Sequence, residues 1–150
     1  MRVSFQVERW PEFYPDVKAL FPDHWRELAL NQEEIPIDID EEKYAALDKN
    51  GILLIATARD EGRLIGYWLS FLMPHPHYKS SGPMGMTDMY WVKPEARNGT
   101  GARLEIFWEQ ELRKRGIKKA ITSYKVHQDH GKFFAARGWT HSDNTLVKIL

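Results

Sequence analysis

The run Ile52-Leu53-Leu54-Ile55-Ala56-Thr57-Ala58 constrains this chain more than any other segment. It is almost wholly apolar and shows no alternation of apolar and polar positions. Such a run reads as a strand buried on both faces. The segments that follow supply its neighbours. Asp60-Glu61-Gly62 is a turn. Leu64 to Leu72 returns as the second arm of a hairpin. Residues 73–83 form an irregular loop carrying His75 and His77, and Met86 to Val92 reads as the next strand.

The flanking segments supply helices and further strands. Val3, Phe5 and Val7 alternate with polar residues, which predicts a first strand. Val17, Leu20, Phe21, Trp25 and Leu28 recur at helical spacing. Pro22 interrupts them, so the expectation is two helices or one kinked helix, with Pro22 near a new first turn. Residues 32–43 are acidic, contain Pro36 and read as a loop, with Asp40 placed to cap a short helix through about Leu47. Gly101 to Arg115 is an amphipathic helix with Leu104, Phe107, Trp108 and Leu112 on one face. Glu109 with Arg113 and Glu111 with Arg115 pair along it, and Gly116 ends it. Ala120 to Val126 reads as a strand, Asp129 to Arg137 as a short helix closed by Gly138, and Asn144 to Leu150 as a terminal strand. The sum is a single α/β domain over residues 1–150, with a mixed sheet of about six strands rather than a regular alternating doubly wound fold.

Bulk properties narrow the function classes. A chain of 150 residues can bury a real core without staples. Lys plus Arg equals Asp plus Glu, at 21 each, which disfavours broad non-specific nucleic-acid binding. The cluster Arg113, Lys114, Arg115, Lys118 and Lys119 reads as a solvated helix end. No cysteine is present, which excludes disulfides and thiolate catalysis and fits a cytoplasmic protein. No apolar run approaches the ~18–20 residues of a membrane span, and residues 1–7 lack the apolar core of a signal peptide. No His, Asp and Glu spacing suggests a metal site.

The chemistry concentrates in Val92-Lys93-Pro94-Glu95-Ala96-Arg97-Asn98-Gly99-Thr100-Gly101-Ala102. A strand leads in, Pro94 ends it, and a long helix starts near Thr100. The first turn of a helix has unpaired N–H groups and partial positive charge. Gly99 and Gly101 allow a ligand close to the backbone, and Arg97 adds a fixed cation. This is one way to build a phosphate cradle. An ordinary glycine turn before a helix is the other reading. Neither a Walker loop nor the dinucleotide fingerprint is present.

These residues resemble the acyl-CoA site of the GNAT superfamily of N-acetyltransferases. That family's pattern is Arg or Gln, two residues, Gly, one residue, then Gly or Ala. Arg97 fits the first place and Ala102 the last, while Thr100 stands where the middle Gly is expected. The order of elements is similar throughout. The segment Phe133-Phe134-Ala135-Ala136-Arg137-Gly138-Trp139 looks like the family's second signature. The stretches from Thr57 to Tyr67 and His75 to Tyr78 resemble short GNAT proteins of bacteriophages and their hosts.

The resemblance implies a GNAT-like acyltransferase fold with helices on both faces of the sheet, and acetyl-CoA as acyl donor. Pantetheine would pair near Tyr90, Trp91 and Val92, in a cleft where Met86–Val92 splays from Ala120–Val126. The pyrophosphate would sit on Arg97, Asn98, Gly99, Thr100, Gly101 and Ala102. The acceptor would be an amine of a small molecule or a protein, and a homodimer fits the fold. Asp88 matches the place of an acidic general base. The usual acid, a Tyr before the second signature's Gly, is Phe134 here, in the cofactor-facing helix. Tyr124 and His127 are the substitutes for proton transfer. His75, His77 and Tyr78 are expected to border the acceptor. Two other readings stay open: an acyl-CoA-binding or interaction module without turnover, and modification of a nucleic-acid base.

Overall fold

The computed structural model describes residues 2–150. Strand β1 (Val3–Glu8) is followed by helices α1 (Trp10–Val17), α2 (Phe21–Leu28) and α3 (Glu41–Lys49). A meander of β2 (Leu53–Asp60), β3 (Arg63–Pro74) and β4 (Pro83–Val92) comes next. Helix α4 (Thr100–Lys114), strand β5 (Ala120–Ile121) and helix α5 (Gly131–Ala136) complete the order. Pro22 lies in the first turn of α2, where its missing N–H costs nothing. The side chain of Asp40 accepts from the Lys43 N–H and caps α3.

The five strands form one sheet in chain order, antiparallel except for the parallel pair β4–β5. β2 and β3 are buried on both faces, as the uninterrupted apolar run requires. One face carries Trp10, Phe13, Val17 and Phe21 from α1 and α2 against Ile55, Tyr67 and Leu69. The other carries Leu104, Trp108 and Leu112 of α4 and Phe134 of α5 against Ala56, Ala58 and Trp68. On that face a Cβ on Gly85 would lie 2.9 Å from Leu112, so glycine lets α4 settle on β4.

The sheet has five strands rather than six, and two expected strands differ. Ala120–Val126 is a strand only over Ala120–Ile121. Asn144–Leu150 has the composition of a strand but forms none; Leu146 is 93% exposed. A strand needs a neighbour to satisfy its backbone, and the two residues of β5 offer little edge to extend.

Two irregularities shape the sheet. In β3, Ile65 has no partner between Ala58–Gly66 and Arg59–Leu64. In β4, Leu69 faces Met89 and Ser70 faces Thr87, so Asp88 is the extra residue of a bulge. The side chains agree. Thr87 accepts from Trp68 Nε1 and Tyr90 stacks on Trp68, so residues three apart share a face.

Candidate functional site

The parallel pairing of β4 and β5 stops at Met86–Ile121. Past that point β4 and the segment after β5 no longer hydrogen-bond as strands, and a groove of about 300 Å³ opens between them. Thr87 to Tyr90 form its floor, Ser123 to Lys125 one wall, and α2 with the following loop the other.

Asp88 sits at the bulge and lines this groove. The Tyr44 hydroxyl donates to its Oδ2 at 2.5 Å. Tyr44 in turn stacks on Trp10 with ring centroids 4.6 Å apart. Solvent still reaches Asp88, yet the surrounding protein desolvates the carboxyl and raises its pKa, against a smaller lowering from Tyr44. Burial also pushes the Tyr44 hydroxyl up, and the Asp88 charge adds to this, so Tyr44 stays a donor. A carboxylate held this way can accept a proton near neutral pH more readily than an exposed one.

Tyr90 and Tyr124 face the same groove. The Tyr90 hydroxyl lies 3.0 Å from His130 Nδ1, and Phe134 packs against both tyrosine rings. Burial lowers the pKa of His130, and the nearby Arg97 charge lowers it further. Phe134 is 4% exposed and belongs to the core. His127 is exposed and stands outside the groove lining, where Gln128 and His130 take part instead.

At the C-terminal end of β4, a short 3₁₀ turn (Pro94–Ala96) leads into α4. Gly99 caps the helix with φ of 89°, a conformation that favours glycine. Thr100 is 2% exposed, so its side chain turns into the protein and not over the loop. Space is open where Gly99 and Gly101 would carry a Cβ. Among the described residues, no backbone carbonyl accepts from the N–H groups of Thr100, Gly101 or Ala102. Asn98 is exposed beside them. The loop therefore fits a phosphate: free donors, an open surface and a helix N-terminus of a 15-residue helix.

Arg97 is engaged elsewhere. Its Nε donates to the Val92 carbonyl at 2.9 Å and its Nη2 to Glu27 of α2 at 2.7 Å. Trp91, buried on the α1–α2 side, donates to the same Glu27 oxygen. Burial raises the Glu27 pKa, but the bonds from Arg97 and Trp91 outweigh it and leave the net shift downward. His24 stacks on Trp91 and bonds the Tyr67 hydroxyl at 2.7 Å, and burial brings its pKa down to about 4.

His75, His77 and Tyr78 cluster together, with His75 and Tyr78 ring centroids 5.1 Å apart. They sit on a 3₁₀ turn (Pro76–Ser81) between β3 and β4, at the opposite end of β4 from the glycine loop, and do not line the groove. The structure thus brings Asp88, Tyr90 and Tyr124 together and leaves His75, His77, Tyr78 and His127 apart from them. Sequence reasoning missed Tyr44, Glu27 and His130. Glu27 and Tyr44 had no local signal, because each acts on a residue far along the chain.

No family model matches the chain, and no curated protein matches it by sequence. Solved structures do match in shape. A transcriptional regulator from Bacillus halodurans C-125 superposes with a TM-score of 0.78 at 14% identity, covering 99% of this chain and 100% of that one. A ribosomal-protein-alanine N-acetyltransferase from Brucella melitensis biovar Abortus 2308 superposes at 0.71 with 16% identity and 99% of each chain. A predicted acetyltransferase from Clostridium acetobutylicum, solved with acetyl-CoA, superposes at 0.69 with 17% identity, covering 99% and 96%. The chain has the GNAT acyltransferase fold.

Proposed function

We propose that this chain, built on the GNAT fold, is an N-acetyltransferase that moves an acetyl group from acetyl-CoA directly to an amine. The observation that carries the reading is the pairing of two features on one strand. β4 ends in an open glycine loop with free N–H donors, and its bulge sets a desolvated carboxylate, Asp88, in the adjoining groove.

Acetyl-CoA would supply an activated thioester. The N–H groups of Thr100 to Ala102 would hold its pyrophosphate, with Arg97 adding charge once freed from Glu27. Asp88 takes a proton from the acceptor ammonium, so that the neutral nitrogen can form the new C–N bond as the C–S bond breaks. Tyr44 holds the Asp88 carboxyl in place. Tyr124 is the candidate to return a proton to the leaving sulfur, since Phe134 has none to give. The absence of cysteine supports direct transfer without a covalent enzyme intermediate. The acceptor is an amine of a small molecule or a protein, in a cytoplasmic setting. Among the described residues, no helix is long and apolar enough to cross a membrane. A homodimer belongs to the proposal, and light scattering at two concentrations tests it.

The deciding experiment is calorimetric titration with acetyl-CoA, followed by CoA release with pooled amines and peptides. Binding and release are expected. No binding at millimolar acetyl-CoA would sink the proposal. Binding without release under every acceptor would favour a module that holds acyl-CoA without turnover, a reading that the buried Phe134 supports.

A further inference from the structure

The wall of the groove that faces Asp88 is apolar. Phe21, Trp25 and Leu28 of α2 and Ile37 and Ile39 of the following loop line it. Leu30, Ile35 and Ile37 continue this surface outward, with Ile35 61% exposed. Asp88 is the one carboxylate among the lining residues. His24 is uncharged at neutral pH, because burial holds its pKa at about 4. Lys125 is the one lysine or arginine of the lining and lies on the opposite wall, after β5. The acids Glu33, Glu34 and Asp38 belong to the same loop as Ile37 but do not line the groove.

We infer that the acceptor half of this groove takes a primary monoamine carried on an apolar or aromatic group. This inference rests on the acyl-transfer reading and narrows its substrate class. One carboxylate matches one ammonium. A polycation such as an aminoglycoside or a polyamine would leave further charges against Trp25, Leu28 and Ile39, where the groove lining holds no second carboxylate. A sugar phosphate would need cations and hydroxyl partners on that wall, and it offers neither. An aromatic or branched aliphatic group, by contrast, removes apolar surface from water on both sides of the contact. A volume of about 300 Å³ also sits at the small end for ligand sites. The same chemistry is offered by a small arylalkylamine and by a polypeptide whose first residue is apolar.

The test is equilibrium binding to the whole chain, read by calorimetry and tryptophan fluorescence. The probes are 2-phenylethylamine, a phenylalanyl-glycyl-glycine amide, kanamycin, spermine and glucosamine 6-phosphate. The aromatic amines are expected to bind at least tenfold more tightly than the other three. Trp25→Ala should weaken the aromatic amines about tenfold. Ile37→Asp, at a position 37% exposed and outside the core, should also weaken them and narrow their lead over kanamycin. If the peptide binds more tightly than 2-phenylethylamine, the source is a protein N-terminus; if less tightly, a small molecule; either supports the inference. Equal or tighter binding of kanamycin, spermine or the sugar phosphate would overturn it. So would aromatic binding that neither substitution changes, or no aromatic binding at all. Acetyl-CoA is titrated separately. Its failure to bind would remove the acyl-transfer reading while the amine comparison stays readable, and its success alongside amine failure would remove only the inference.

Discussion

The sheet from β1 to β4 and the region from β5 onward are built differently. In the first, strands consecutive in the chain are neighbours in the sheet and pair over most of their length. A buried ion pair fastens it: Arg59 donates from Nε and Nη2 to Glu8 and from Nη1 to Asp16. Burial pushes the Glu8 pKa up, but Arg59, Thr57 and Gln6 outweigh this and leave it lowered. The second region pairs with the sheet at just two ladder positions of β5 and otherwise packs on it through Phe134 of α5. It is fastened by side chains instead. Glu105 of α4, wholly buried, accepts from Arg137 Nε and Trp139 Nε1, both at 2.8 Å. The groove lies on the seam between the two. A floor fixed by strand pairing thus meets a wall, Ser123 to Lys125, that no strand pairing holds.

The sharpest way to break this contrast is Arg59→Met. It leaves Glu8 as an unpaired buried carboxylate and should cost about 3–5 kcal/mol in urea unfolding. A cost below 1 kcal/mol would show that the pair does not fasten the first region. Asp88→Asn tests the groove without touching either fastening. The rate of acetyl transfer should fall about 100-fold with the melting temperature unchanged. In the parent, rate should rise with pH through a pKa above the ordinary carboxylate value of 3.8, because Asp88 must be ionised to accept a proton. That limb should vanish in the variant.

Glu105→Gln addresses the second region. Replacing one charged acceptor should cost about 2 kcal/mol. Hydrogen exchange should quicken around Gly131–Ala136 while β2 and β3 stay protected. Equal quickening in β2 would erase the contrast. His24 gives a smaller effect with a defined sign. Its pKa falls from 6.5 to about 4 on folding, so the unfolded chain takes up the proton first as pH drops. Stability should therefore decline from about pH 6.5 to about pH 4 and level off below. His24→Gln should flatten that part of the decline. Deleting residues 144–150 should matter least. The segment lies exposed, and thermal unfolding of the monomer should shift by less than about 0.5 kcal/mol.

The same division governs what could be read in advance. Leu53–Asp60 and its hairpin partner were legible because burial on both faces writes itself into consecutive residues. The α4 face and the glycine loop were legible for the same local reason. Ala120–Val126 and Asn144–Leu150 were not, because composition permits a strand but only a neighbour makes one. Thr100 was visible as a departure from the expected Gly, but its inward direction depends on how α4 meets the sheet. The link from Tyr44 to Asp88 joins elements that only the folded sheet brings together. Arg97 was visible as a cation, but its bond to Glu27 of α2 was not.

The bulge in β4 has a further consequence. Gly85 and Thr87 face α4, and so do Tyr90 and Val92; odd numbers give way to even ones at Asp88. The strand is two segments joined out of step by one residue. Removing Asp88 would bring them into step and turn nothing over: Ser70 would still face Thr87, Leu69 would still face Met89, and Gly85 would stay beneath Leu112. The sheet has no need of the extra residue, and regular pairing would run straight through without it. What the deletion takes away is the place of the proposed base in the groove, so a chain shortened by Asp88 alone should keep its fold and lose acetyl transfer.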